Sequence, residues 1–497
     1  LTRIVSPFAI APTGQPSTFT SLGVRRIINC KGTYTAISGS RLVPQAAEAM
    51  IAASDAYVEM DELLERVGER LAALTGAEWG LITVGCAAAI ADLTAACIAG
   101  ADPERMAMLP DTSGMPNEVL IQGAHRNQYD RAIELVGAKL MQVETAAEFL
   151  QAIGPRTAMV AVIGDYEEKS VIPIPWMIAR AHERGIPCIV DAAAQRPDIP
   201  NRYLAMGADA VCYSGGKCLR GPQASGLVLG HKNLLQAAFL NGAPHHGVGR
   251  PMKMGKEEVM GLLGAIEAWL LYRDHEAEWR QWEGYLAEIA EAVADLPSVS
   301  THVRQPGLAN HAPQLVIEWD PGVLAHAPEA VHRALWEGDP RIALHLEPRG
   351  LRIMPYMMET SDAAIAAARI RELLMRPPEP AVPEAEPACD LSGEWCVSIQ
   401  FVLGEARHAL CWRQQGAALQ GEYTTPYNRV AVHGTVAGEQ LSFAARLGRT
   451  TTQTCYRFEG RLEGEALSGT VALGEYWQAT WRAERCNAAR DDGHSDR

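Results

Sequence analysis

The sequence predicts an α/β protein with a mostly parallel sheet, joined to a smaller α+β region and a C-terminal all-β small barrel or sandwich. Three observations carry this expectation. Between residues 25 and 230 short apolar runs alternate with helical periodicity. A Pro/Glu-rich stretch occupies residues 377–387, and beyond it the pattern changes to short alternating runs broken by Gly.

Each element follows from its local pattern. The runs at 80–84, 158–163, 187–190, 210–213 and 225–229 have strand length, and 61–74, 87–99 and 175–184 read as helices. Apolar strands separated by helices form a parallel sheet covered on both faces, whose ligands sit at the carboxyl ends of the strands. This large domain is expected at 25–256, after an N-terminal arm at 1–24. A long helical stretch from 257 to 293 opens a small domain ending at 376. Residues 377–388 read as a semi-rigid linker, because Pro resists helix and Glu resists burial. Runs at 394–402, 407–412, 430–436, 441–445, 455–462, 467–473 and 476–481 predict an antiparallel meander over 389–486. Its aromatics, among them Trp395, Trp412, Tyr423, Tyr427 and Trp477, fill a core or line a cup. Residues 487–497 are expected to be a disordered tail.

Composition narrows the functional classes. A chain of 497 residues, 48% hydrophobic and 21% charged, has the length of several domains and the balance of a soluble globular protein. A formal net charge of −15 opposes nucleic-acid binding, which needs a basic face. No apolar run reaches the roughly 18 residues of a membrane span, and residues 1–23 lack the pattern of a signal peptide. The eleven cysteines contain no CxxC pair, so neither a zinc site nor a disulfide framework is expected, and reduced thiols in the cytoplasm are the plain reading. The loop pair His245-His246 has no Cys or carboxylate at ligand spacing, so no metal is expected.

Three segments carry chemistry, in an order that matters. Thr83-Val-Gly-Cys-Ala-Ala runs from a strand into an alanine-rich helix, where small residues let N–H groups approach an anion. Residues 187–195 begin with a buried run that ends in Asp191. Tyr213-Ser-Gly-Gly-Lys217 then puts a lysine in a Gly-rich turn just after a strand. Singly, these read as helix–sheet packing, a capping aspartate and a plain turn. Together they suit pyridoxal 5′-phosphate (PLP): a phosphate turn at Gly85, Cys86 and Ala87, an anion for the pyridine nitrogen, and an amine for a Schiff base.

Residues 214–226, Ser-Gly-Gly-Lys-Cys-Leu-Arg-Gly-Pro-Gln-Ala-Ser-Gly, closely resemble the cofactor-lysine motif of the selenocysteine synthase (seryl-tRNA selenium transferase) family of fold-type-I PLP enzymes. The similarity extends over 25–375 and includes Ile27-Ile-Asn-Cys-Lys-Gly-Thr33, Leu74-Thr-Gly-Ala-Glu78 and Gly249-Arg-Pro-Met-Lys-Met-Gly-Lys-Glu-Glu258. The branch it most resembles contains D-glucosaminate-6-phosphate ammonia-lyase. The resemblance implies an aspartate-aminotransferase-like fold with Lys217 as Schiff-base lysine and Asp191 on the pyridine nitrogen. It further implies Ala193 and Ser214 beside the cofactor and His125 stacked on its ring, although His125 also reads as a satisfied strand-end histidine. Cys86 departs from the hydroxyl or amide common in that turn.

Substrate groups are read from chemistry. A carboxylate is best held by a forked arginine. Arg352 in the small domain is one candidate, Arg41 and Arg126 are rivals, and Arg250 with Lys253 suits a phosphate of substrate or of a neighbouring subunit's cofactor. The family implies a homodimer or larger assembly acting on a small amino-acid-like molecule. The expected reaction is α,β-elimination from an amino acid or amino-sugar acid, of ammonia-lyase or dehydratase type. A racemase, epimerase or aldolase begins the same way and stays open. Selenium transfer is less expected, since the tRNA-binding N-terminal domain of those transferases has no counterpart in residues 1–24. A non-catalytic alternative makes the C-terminal β domain a binding module on a PLP-fold scaffold.

Overall fold

The computed structural model describes residues 17–377, 385–449 and 451–486. Most of the expected linker, the expected tail and residues 1–16 of the expected arm lie outside these. The chain divides into two compact units, Leu1–Pro378 and Glu379–Arg497.

In the first unit, β1 is Ile27–Asn29. The large sheet is built from β2 (Trp79–Thr83), β3 (Glu118–Gln122), β4 (Lys139–Val143), β5 (Thr157–Ile163), β6 (Cys188–Asp191), β7 (Ala210–Ser214) and β8 (Gly226–Gly230), in the order β2-β8-β7-β6-β5-β3-β4. The five strands from β7 to β4 are parallel, and β8 runs antiparallel to both its neighbours. Every residue of β2, β6 and β8 is buried, as an apolar run covered on two faces requires. Helix Met60–Thr75 shows how the cover is made. Glu59 caps its first turn by accepting from the Asp61 and Glu62 N–H groups, Leu64, Val67 and Leu71 recur on one buried stripe, and Gly76 ends it in the left-handed region.

The small region follows with β9 (Ser300–Arg304), β10 (Gln314–Glu318), β11 (Arg341–Ala343), β12 (His345–Glu347) and β13 (Gly350–Ile353). Four of these form an antiparallel sheet, β12-β13-β10-β9, while β11 pairs with β1 in parallel. Its core packs Leu286, Ile289 and Val293 of helix His275–Val293 with Ile370 and Leu374 of helix Asp362–Met375. The single helical stretch expected from 257 to 293 is interrupted. Helix Lys256–Glu267 passes into a π turn, Ala268–Tyr272, and the next helix restarts under an Asp274 cap. Continuous apolar periodicity hides such a break, because a π turn inserts one residue without changing composition.

The second unit is a closed barrel of consecutive antiparallel strands: β14 (Gly393–Gln400), β15 (Glu405–Gln415), β16 (Ala418–Thr424), β17 (Arg429–Ala437), β18 (Gln440–Arg449), β19 (Thr452–Glu463), β20 (Ala466–Ala472) and β21 (Gln478–Arg485). One strand more is present than the seven runs expected, because Gly421 interrupts the alternation of β16. Trp395, Trp412 and Tyr423 are core residues, whereas Tyr427 and Trp477 are exposed in turns. Part of the expected linker belongs to this unit: the Gly438 turn exchanges backbone hydrogen bonds with Ala385 and Ala388. The expectation of no disulfide is corrected by Cys396–Cys486, which joins β14 to the residue after β21. These cysteines are 90 residues apart and meet only because the barrel closes.

Candidate active site

β5, β6 and β7 lie side by side and parallel, so the turns after them gather at one edge of the sheet. Ile163 pairs with Asp191, and Asp191 with Cys212. β7 runs directly into Gly215-Gly216-Lys217. At this edge a cavity of ≈ 290 Å³ is lined by Lys217, Asp191, Ala193 and Ser214 together with Gly85, Cys86 and Ala87. Every cofactor residue expected from the sequence except His125 is therefore brought to one cavity.

The lysine turn is fixed by its own backbone. The Gly215 N–H donates to Ser225 O, the Arg220 N–H to Lys217 O and the Gly221 N–H to Gly215 O, each at 2.9 Å. Arg220 takes a positive φ of 57° to close this turn, and its own carbonyl accepts from the Val43 N–H.

Asp191 is buried, and burial drives its carboxyl above the usual carboxylate range. Opposing this, Oδ1 accepts from the Cys86 thiol at 3.2 Å and from the Ala193 N–H at 2.9 Å, and the Lys217 charge favours the anion. A hydrogen bond with Cys212, burial and the charge of Asp191 all push the Cys86 thiol up, so it keeps its proton and acts as the donor. Cys86, the departure from the family turn, thus steadies the aspartate.

Helix Cys86–Ala99 begins at the cavity, with Gly85 as its N-cap. The first N–H groups of a helix have no intrahelical acceptor and carry the positive end of its dipole, which suits a phosphate. Gly226 of β8 allows this approach. A Cβ there would lie 2.6 Å from the Gly85 carbonyl carbon and 2.8 Å from the Cys86 nitrogen. An amine, a buried carboxylate and an anion turn in one cavity are the donor set that PLP needs. Among the described residues no group of three metal-ligating side chains occurs.

His125 stands at the end of β3 with both ring nitrogens engaged. Nδ1 accepts from the Ile163 N–H at 3.1 Å, which leaves Nε2 to donate to Ser170 Oγ at 2.7 Å. Burial lowers its pKa to about 4. Tyr129, not His125, lines the cavity.

None of the four candidate arginines lines the cavity. Arg352 donates to Glu347 at 2.5 Å and to Gln314 at 2.6 Å. Arg41 pairs with Glu359, and Arg126 with Asp130 at 2.6 Å. Arg250 lies in the loop after the Gly242–Gly249 bridge. Among the described lining residues Lys217 is the single Lys or Arg.

Several wall residues escape a reading of the sequence. Thr33, Tyr34 and Thr35 come from beyond β1, Asn310 from the small region and Gln223 from the lysine segment. Thr33 and Asn310 both bond Tyr356 OH, at 2.7 and 3.4 Å. Nothing in the sequence joins these distant segments. Asp165, which does not line the cavity, had a visible signal, since it follows a buried strand by two residues. Burial first, then the charge of Asp191, raises its pKa to about 6.

The model of the aminotransferase class-V family matches residues 45–252. D-glucosaminate-6-phosphate ammonia lyase of Salmonella typhimurium is 30% identical over 374 residues, covering 72% of this chain and 98% of that protein. 5′-C-glycyluridine monooxygenase-decarboxylase of a Streptomyces species is 29% identical over 370 residues, covering 71% and 91%. L-seryl-tRNA(Sec) selenium transferase of Rhizobium meliloti is 28% identical over 283 residues, and this chain spans 57% of it. A solved structure of D-glucosaminate-6-phosphate ammonia-lyase matches with a TM-score of 0.65 at 29% identity, over 72% of this chain and 98% of that one.

Proposed function

The chain belongs to the family of D-glucosaminate-6-phosphate ammonia-lyase and is a PLP-dependent lyase of the fold-type-I class, and from this premise we propose the roles of its residues and the kind of substrate it takes. Its substrate is an amino acid or amino-sugar acid with a hydroxyl at Cβ, converted to a keto acid and ammonia. The observation that carries this is one cavity lined by Lys217, Asp191 and the Gly85–Ala87 turn.

PLP held through Lys217 supplies the electron sink that makes the substrate Cα–H bond acidic. Gly85, Cys86, Ala87 and the Ser214 hydroxyl, which line the cavity, would hold its phosphate, and Asp191, oriented by Cys86 and Ala193, would keep its pyridine nitrogen protonated. Lys217 Nζ, on the cavity wall, would take the Cα proton as general base. The electron pair left behind forms the Cα–Cβ double bond as the C–O bond breaks. The Lys217 ammonium gives its proton to the departing hydroxyl, so water leaves. Hydrolysis of the enamine product then releases ammonia.

Arg250 is proposed to meet an anionic group of substrate or cofactor from a second copy of the chain. Lys217 being the single Lys or Arg on the described cavity wall supports this, as do Tyr34 and Tyr129, which line the cavity yet stay 48% and 53% exposed. The active species is then a homodimer or larger. A cytoplasmic home fits the nine free cysteines, while the Cys396–Cys486 disulfide favours an oxidising one; thiol titration of protein taken from cells decides. Among the described residues no helix is long and apolar enough to cross a membrane.

The name of the Streptomyces relative belongs to a different reaction, so product identity is the deciding test. A panel of D- and L-hydroxyamino acids and amino-sugar acids should give ammonia and a keto acid in equal amounts. Inversion at Cα without ammonia would make the protein a racemase, and a released aldehyde would make it an aldolase.

A further inference from the structure

We propose that Arg273 is a positioning residue for Lys217: it ties the peptide after the lysine to the helix junction between the two cores, and so sets where the amine stands in the cavity. This rests on Lys217 being the cofactor lysine.

Three independent interactions hold the guanidinium. Nη1 donates to the carbonyl of Cys218, the residue after Lys217, at 2.7 Å. Nε and Nη2 fork onto the two carboxylate oxygens of Glu278 at 3.0 and 2.8 Å. The plane lies over the Trp269 ring, 4.7 Å from its centroid. Only 11% of the side chain is exposed. Burial alone would raise the Glu278 pKa, but hydrogen bonds from His275 and Arg273 outweigh it and bring it to about 2, so the Glu278 carboxylate is ionised at neutral pH. A lysine could not fork, stack and reach the carbonyl at once.

The position of Arg273 gives the clamp its meaning. Its own N–H closes the π turn onto Ala268 O at 2.9 Å, and Asp274 then caps the next helix through the Ala277 N–H at 2.9 Å. π turns occur often at functional sites, where the extra residue re-aims a side chain. Trp269 belongs to the core of the large sheet, whereas Leu286 and Ile289 of the following helix belong to the small core. Arg273 thus stands between the cores and holds a carbonyl of the catalytic turn. The Cys218 thiol is bonded to Gln195 O at 3.4 Å and the Leu219 side chain is fully buried, so the peptide that Arg273 grips has little other freedom.

The test compares Arg273→Met, Arg273→Lys and Glu278→Gln with wild type. In the cofactor-free protein, amide hydrogen exchange should accelerate at 215–221 in Arg273→Met while the large sheet stays protected. In the loaded enzyme, borohydride should trap less cofactor on Lys217 and the pH midpoint of the visible band should move. The kcat should fall by about tenfold to a hundredfold with KM within about twofold, the scale of a small misplacement of a reacting group. Arg273→Lys should recover part of the trapping and Glu278→Gln should lose part. Should Arg273→Met not fold, those two variants decide by the same readouts. Unchanged exchange, trapping, band midpoint and kcat in the folded variants would overturn the clamp. Absence of a visible band in wild type would instead overturn the PLP assignment to Lys217.

Discussion

Just past the carboxyl end of β5 and at that of β6 stand two carboxyls, Asp165 half-buried and Asp191 buried, and burial drives both upward in pKa. Inside the barrel the buried space goes to rings instead. Phe443 and Phe458 stack at 4.2 Å, and Trp412 and Trp481 meet them edge-on at 4.9 and 5.5 Å. The polar tips there find partners: Trp395 Nε1 on Leu391 O, Trp481 Nε1 on Glu459 O and Thr470 O, and Tyr423 OH with His408. Trp412 Nε1 is the exception among the described residues of the barrel interior. The difference separates two uses of burial. The barrel spends it on packing, whereas the sheet edge keeps titratable carboxyls in an apolar setting, where their charges act over short range more strongly than in water.

The sharpest way to break this comparison is Asp191→Asn. Losing the anion should lower kcat by about a hundredfold to a thousandfold, the scale of one preorganised electrostatic partner, while cofactor binding persists. Near-normal turnover would show that Asp191 has been misassigned.

A smaller effect concerns folding. The unfolded His125 imidazole takes up its proton near 6.5, the native one only at about 4. Between these values the unfolded state binds more protons, so stability present above pH 6.5 is lost as pH falls toward 4, by on the order of 3 kcal/mol. Asp165, raised to about 6, works in the opposite sense, since its native form binds the extra proton between about 4 and 6. Urea unfolding across this window should show stability rising more as pH falls in His125→Asn than in wild type, because the Asp165 contribution is then unopposed. An identical slope would show that His125 does not titrate as its burial demands.

The smallest expected effect tests whether the barrel takes part in chemistry. More than a quarter of this chain has no counterpart in the Salmonella relative, which is covered over 98% of its length. Protein ending at Arg376 should therefore fold, bind PLP and turn over within about twofold of the whole chain, with any change confined to KM. Loss of turnover with PLP still bound would mean that the second unit completes the active site.

What the sequence disclosed was local. The strands before Asp191 and Lys217, the helix after Gly85 and the order of the three segments are each written in a few consecutive residues. What stayed hidden depends on closure. The cavity wall draws Thr33 and Asn310 from opposite ends of the first unit, and Cys396 meets Cys486 only across a closed barrel. The arginines show a related limit. Sequence shows a guanidinium but not its partner, and Arg352, Arg41 and Arg126 are each satisfied by a carboxylate away from the cavity. Arg273 carried no motif, and a π turn placed it on the carbonyl of Cys218, the residue after Lys217.

The central claim is that the sheet edge holds PLP through Lys217. Borohydride reduction of the purified protein, followed by peptide mapping, tests it most directly. The account predicts loss of the absorbance at roughly 410–430 nm that lysine-bound PLP gives, with a single pyridoxyl adduct on Lys217 and none in a Lys217→Ala variant. An adduct on another lysine, Lys169 or Lys232 for instance, or a wild-type protein that takes up no PLP, would contradict it.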